Sequence, residues 1–188
     1  MTNKSGHLGN DDTGIDGVLY SDLQYASYSL SKCDTQFWRR TYCRCLMATF
    51  EGMIQEIKER TLALSNGVLL GDGEVELLNS RIGALESAFC ALDLLTSCAG
   101  AKTPLQRDSQ EWLILKKAIK IRNRITHPRT TNDLDISIMD LQHLRVTEKV
   151  MRDLVVKALG DSGRALLKYV KALRRRSKEL EKANPSKK

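Results

Sequence analysis

Apolar residues recur at intervals of three and four through most of the chain, and no segment shows the strict alternation of a half-buried strand. Leu46, Phe50, Met53 and Ile57 form one such series, with Cys43, Met47 and Ile54 beside them. Leu77, Leu78, Ile82, Leu85, Phe89, Leu92 and Leu95 form a second. Helices patterned in this way bury their apolar stripes on one another. Only three prolines interrupt the 188 residues, and aromatics make up 5% of a chain that is 41% hydrophobic. The expected fold is all-α, a bundle of four long helices plus a basic C-terminal helix, in one domain.

Punctuation residues set the expected boundaries. Residues 1–20 read as a flexible lead, because Gly6, Gly9, Gly14 and Gly17 break up a polar stretch. Residues 21–182 read as the helical domain and 183–188 as a disordered basic tail. Asp34 offers an N-cap for a first long helix reaching Leu64. Asn66-Gly67 and Gly71-Asp72-Gly73 form a turn region before a second helix, from Glu74 to Thr96, which ends near Gly100. Asp108-Ser109-Gln110-Glu111 is a capping-box pattern opening the third helix, and Pro128 stops that helix at His127. Ser137-Ile138-Met139-Asp140 is a second box, opening a helix that carries Leu141, Leu144, Val150, Leu154 and Val155 inward. Gly160 offers its end. The last helix, from Ser162 to Lys182, is expected to bury Leu166, Val170 and Leu173.

No apolar run approaches the roughly 18 residues of a membrane span, and the N-terminal stretch has no hydrophobic signal core, so a soluble, cytoplasmic protein without membrane partners is expected. Cys33, Cys43, Cys45, Cys90 and Cys98 are odd in number, and none is spaced for zinc, so ordinary thiols and no metal are expected. From Arg164 onward ten Lys or Arg face only Glu179 and Glu181, an excess larger than the net charge of +7 for the whole chain. Such a basic helix suits a phosphate backbone, or is a solvated face that keeps the protein dispersed.

The third helix ends in Arg122-Asn123-Arg124-Ile125-Thr126-His127-Pro128. Arg122 falls three residues after Ile119, four after Ala118 and seven after Leu115, on the apolar face of its own helix. Lys116, Lys117, Lys120 and Arg124 occupy the other side. A guanidinium on the packed side must be paired, line a cleft or meet another subunit. His127 lies about 7.5 Å further along the axis, where the helix dipole favours a cation and an imidazole suits proton transfer near neutral pH. A plainer reading has His127 capping its helix and Arg122 bridged to a carboxylate such as Glu51 or Asp153. Arg40, Arg44 and Glu51 share a flank of the first long helix, as surface ion-pairing groups or as a reach into a site between helices.

Arg122, the polar Asn123, three intervening residues and His127, at a helix end in an all-α bundle, resemble the signature of HEPN-domain ribonucleases. The apolar residues before the motif (Ile114, Leu115, Ile119, Ile121) and the segment from Phe37-Trp38-Arg39-Arg40 to Phe50-Glu51-Gly52 are similar to stand-alone prokaryotic members. The resemblance implies a metal-independent endoribonuclease without cofactors, working as a homodimer whose two Arg–His motifs share a composite active site. It implies RNA as substrate, a toxin or antiviral defence role, and an antitoxin or sensor protein as a further partner. Arg122 and His127 would be catalytic and Asn123 and Thr126 supporting, while Lys120, Arg124, Arg129, Arg174, Arg175 and Arg176 would track the RNA backbone. Many relatives in toxin–antitoxin pairs carry a Tyr two residues after the His, where this chain has Arg129. The alternative function is a non-catalytic helical module for dimerisation, nucleotide or RNA binding, or partner binding; a weaker one is a membrane-surface or nucleic-acid adaptor acting through the basic tail.

Overall fold

The computed structural model describes residues 15–65, 70–80 and 82–183. Among them the fold is all-helical: α1 (Ile15–Lys32), α2 (Gln36–Ser65), α3 (Asp72–Asn79), α4 (Ala84–Cys98), α5 (Gln110–Thr126) and α6 (Ile138–Ala183), with a short 3-10 turn at Thr131–Leu134. The core is built where their apolar stripes meet. Leu23, Ala26 and Leu30 of α1 pack on α2, which contributes Tyr42, Leu46, Phe50, Ile54 and Ile57. Leu92 and Leu95 of α4, Trp112, Leu115, Ala118 and Ile125 of α5, and Leu144, Met151, Leu154 and Ala158 of α6 complete it.

Hydrogen bonds placed inside this apolar mass tie the elements together. The buried Tyr42 hydroxyl donates to the Glu148 carboxylate at 2.6 Å, joining α2 to α6, and burial with this partner holds the phenol far above its ordinary ionisation range. Thr49 donates to the Leu19 carbonyl at 3.0 Å across the α1–α2 contact. His143 Nε2 donates to the Ile114 carbonyl at 2.9 Å, joining α6 to α5.

Four features depart from the sequence expectation. Helix α1 begins at Ile15, inside the stretch read as a lead, so the bundle has an extra helix; residues 1–14 and 184–188 lie outside the described residues. Leu23, Ala26 and Leu30, at intervals of three and four, suffice to seat it although the composition before them is glycine-rich. Second, the single helix expected from Glu74 to Thr96 is two. Ser80 stops α3 by donating its hydroxyl to the Leu77 carbonyl at 2.6 Å, Gly83 precedes α4, and Leu77 is exposed instead of buried. Third, Thr35 rather than Asp34 caps α2, its hydroxyl accepting the Trp38 N–H at 3.4 Å, while Asp34 holds Arg39 in a two-pronged pair at 2.5 and 2.7 Å.

Fourth, the two helices expected on either side of Gly160 are one continuous helix of 46 residues. A glycine inside a helix costs only about 1 kcal/mol relative to alanine. Here Ser162, buried, donates to the Leu95 carbonyl of α4 at 3.4 Å, and Arg164 pairs with Asp161 at 2.5 Å. No proline lies between Gly160 and the end of α6 at Ala183. Val170, expected inside, is exposed, and the side chains of Leu166 and Leu173 lie outside the described set.

A Cβ added at Gly160 would meet the Arg164 guanidinium at 3.6 Å, an ordinary contact. Gly160→Ala is therefore expected to raise stability by about 0.5–1 kcal/mol in urea denaturation. A loss of similar size would mean that Gly160 is a left-handed helix terminus and that α6 is broken there.

Candidate functional site

Helix α5 is cut at both ends by its own sequence. Ser109 accepts the Trp112 N–H at 3.2 Å, so the serine of the expected box, not Asp108, is the cap; Asp108 sits just outside with φ +62°. His127 is the C-cap, its N–H donating to the Asn123 carbonyl at 2.9 Å, and Pro128 follows. The motif thus occupies the last turn and a half of a helix whose inner face is Trp112, Leu115, Ala118, Ile121 and Ile125.

Arg122 leaves that face toward α2 and pairs with Glu51 through Nη2 and Oε1. The pair is not sealed: the side chains retain 26% and 50% of their exposure. Both line an open cleft of about 290 Å³ between α2, α5 and the start of α4, with Lys58, Gln55 and Ser87 as its other polar walls. An ion pair this open to water adds little to stability, since screening and side-chain entropy offset most of its attraction. Phosphate oxygens are the competing ligand for such a guanidinium.

Two turns before Glu51 on the same helix, Cys43 is fully buried. Burial pushes its thiol up to about 12 against the pull of Arg122, Arg44 and Arg124. Burial decides the matter, since these guanidiniums, offset in part by Asp140, do not bring the thiol back down. The sequence signal for this grouping was the shared flank of Arg40, Arg44 and Glu51; in the structure Glu51 meets Arg122, Arg44 is exposed, and Arg40 donates to the Leu134 carbonyl at 3.2 Å.

The structure separates the remaining motif residues by role. His127 is exposed at the helix end and does not line the cleft that holds Arg122. Asn123 and Lys120 are exposed. Thr126 donates its hydroxyl to the Arg122 carbonyl at 2.8 Å, a bond within its own helix. Arg124, assigned from its spacing to the solvated side of the helix, instead turns onto the loop that follows, because Asp140 and a free carbonyl lie within its reach. It donates to Asp140 Oδ2 at 2.9 Å and the Asp135 carbonyl at 2.8 Å, and its buried Nε has no partner among the described residues. Arg129 is exposed, its N–H donating to Asp133 Oδ2 at 2.8 Å beside that of Thr130; these two donors hold the Asp133 carboxyl below its ordinary range. Arg174, Arg175 and Arg176 are exposed on α6, away from the motif in sequence and on a different helix.

Residues that the sequence reading passed over hold the motif's loop in place. Gln36 pairs with the backbone of Ile136 in both directions, donating to its carbonyl at 3.1 Å and accepting its N–H at 2.9 Å. Arg39 adds a bond to the same carbonyl at 2.8 Å. Their polar character at the start of α2 gave no sign of a partner 100 residues away. Among the described residues no group of His, Cys, Asp and Glu is arranged to hold a metal ion, and no helix is long and apolar enough to cross a membrane. No protein-family model, no curated protein and no solved structure matches the chain.

Asp140 closes the box expected from sequence, with Ser137 Oγ accepting its N–H at 3.0 Å and its carboxylate accepting the Ser137 N–H at 3.3 Å. Burial pushes its carboxyl up, but Arg124 and Ser137 together outweigh this and hold it below its ordinary value. A carboxyl lowered in the folded state stabilises above its unfolded value and loses that contribution as the pH falls through the folded one. Asp140→Asn is expected to cost about 1–3 kcal/mol in urea unfolding near neutral pH, and the gap to wild type should close on acidification below the carboxylate range. An unchanged gap in acid would assign the loss to packing.

Proposed function

We propose that the protein is a metal-independent endoribonuclease of the HEPN type, acting as a homodimer in which two copies of Arg122 and His127 form one site. The observation that carries this reading is the position of Arg122: a guanidinium on the apolar face of α5 that opens into a cleft, held only by a half-exposed carboxylate. A phosphate displaces such a half-exposed partner at small cost. His127, exposed at the helix end, has its ring available for proton transfer.

In this mechanism the ribose 2′-OH attacks the adjacent phosphorus, the bond to the 5′-oxygen breaks, and the products are a 2′,3′-cyclic phosphate and a 5′-OH. One His127 accepts the proton of the 2′-OH; the His127 of the partner subunit gives a proton to the departing oxygen. Arg122 places its planar donors on the phosphorane oxygens as their charge grows, which removes the need for a metal. Asn123 and Thr126 orient the motif, and Lys120 and Arg129 lie exposed on either side of it to meet neighbouring phosphates. A second copy is needed because a single chain puts Arg122 in a cleft that His127 does not line. Ile138 and Met139, both more than 60% exposed beside the Asp140 that holds Arg124, are apolar surface next to the motif for such a copy to cover. A role in toxin or antiviral defence, with an antitoxin or sensor protein as control partner, belongs to this proposal by family likeness alone.

The Arg122–Glu51 pair itself favours a second reading, a non-catalytic module in which the pair joins α5 to α2 and His127 only caps α5. Incubation with total RNA in EDTA separates the two. The wild type is expected to cut and to leave cyclic phosphate ends, and Arg122→Ala and His127→Ala each to lose about 100-fold or more. Intact RNA with the wild type, or variants that cut as well as it does, would sink the catalytic reading in favour of the module.

A further inference from the structure

At the far end of α5 from His127, a second groove of about 650 Å³ runs between the loop joining α4 to α5 and the middle of α6. Its charged lining is Lys102 from the loop and Lys157, Arg164 and Lys168 from α6, against the single carboxylate of Asp161. Arg164 occupies that carboxylate at 2.5 Å. Among the described residues, Lys102, Lys157 and Lys168 have no ion-pair partner. The apolar part of the lining is alanine, so the groove lacks the bulky walls of a site for an uncharged small molecule.

Both walls are anchored. Gly100, at φ +67°, turns the chain back after α4, and Leu105, fully buried, fixes the loop that carries Lys102. On the other side Ser162 binds α6 to the Leu95 carbonyl of α4 at 3.4 Å. The cations are thus brought together by the fold and not by chance on a loose surface. Like charges gathered in a concavity repel one another and favour an anion that neutralises several at once.

The pattern continues out of the groove. Lys157, Arg164, Lys168, Lys171 and Arg175 follow one another at intervals of seven, four, three and four, on one face of α6, and all five are exposed. Beyond Lys157 and the turn taken by Asp161, each turn of about 5.4 Å offers one cation. We propose that the Lys102–Lys157–Arg164–Lys168 groove, continued by Lys171 and Arg175, is a track for the phosphodiester backbone of single-stranded nucleic acid. A linear polyanion can enter a concave groove and follow a straight row of cations. A flat anionic lipid surface reaches only the convex side of a helix, with apolar side chains inserted between the charges. The track reads phosphate and not sequence, since four of its six cations are lysines, which present point charges, and the groove's Arg164 already has its guanidinium on Asp161. It is distinct from the Arg122 cleft and holds for a protein that binds RNA without cutting it.

Binding of a fluorescent 2′-O-methyl single-stranded RNA, which no 2′-OH attack can cleave, tests the track apart from catalysis. By anisotropy, the triple variant Lys102→Ala, Lys157→Ala, Lys168→Ala is expected to bind at least about tenfold more weakly, with its log affinity against log salt flatter by about 2. Lys116→Ala, Lys117→Ala, Arg152→Ala removes the same charge from exposed positions outside the groove and should change both values much less. Replacing the three lysines by arginine should restore binding and guards against a folding defect. Wild-type affinity and slope in the alanine triple, or an equal loss in the control triple, would overturn the track. So would groove-dependent binding to phosphatidylserine vesicles without binding to the RNA.

Discussion

The direction of the chain after the motif depends on the capture of Ile136. This residue is fully buried between two helices whose axes must reverse, yet it sits in a loop, where a buried backbone would leave a donor and an acceptor unsatisfied. The amide of Gln36 answers both, in the manner of a strand partner, and Arg39 adds a charged donor to the same carbonyl. Asp34 in turn orients Arg39. The N-terminal turn of α2 is therefore the socket into which the α5–α6 connection fits, and the relative placement of α2, α5 and α6 follows from it. Arg40 and Arg124 bind the two carbonyls before that of Ile136, at Leu134 and Asp135, so three successive carbonyls each accept from a side chain of α2 or α5.

This arrangement sets the character of the motif at the end of α5. The last turn carries two arginines with opposite fates. Arg124 is drawn into the loop by Asp140 and serves as a fastener, with part of its guanidinium out of reach of solvent. Arg122 is left with one carboxylate partner in an open cleft. The same side chain thus becomes structural or available according to how many acceptors the fold places around it.

Helical class, the stop of α5 and the Ser137–Asp140 box were legible in the sequence because each is a local matter, decided within four residues, while the start of α5 was legible only to within a residue, Ser109 capping it in place of Asp108. The pairing of Arg122 with Glu51 was among the readings that spacing allowed, and only tertiary packing could select it. What escaped was governed by partners far away in the chain. Helix α1 follows a polar, glycine-punctuated stretch that hides its start, and it is seated because α2 receives Leu23, Ala26 and Leu30. Gly160 carries the mark of a helix end, but the contact of Ser162 with α4 overrides it. Ser80 and Gly83 are weak breakers that win because the surrounding stripe, Leu77 included, is not fully buried. In the candidate site the same division holds: the spacing of Arg122 and His127 was visible, while Gln36, Arg39 and the lysine groove were assembled by the fold from distant segments.

The continuity of α6 has a kinetic consequence. A helix of 46 residues is about 69 Å long, whereas a globular domain of this size is roughly 35–40 Å across. Among the side chains described, the last buried one on α6 is Ser162, about 30 Å along the axis before the helix ends at Ala183. From Arg164 onward the sequence carries ten Lys or Arg against two Glu, an excess larger than the net charge of +7 for the whole chain. The exposed cations from Arg164 to Arg176 span about 18 Å of this helix, more than the Debye length of about 8 Å at physiological salt, so a polyanion is drawn to the row as a whole and not to one point. The encounter rate with such a ligand should therefore fall steeply as salt is added.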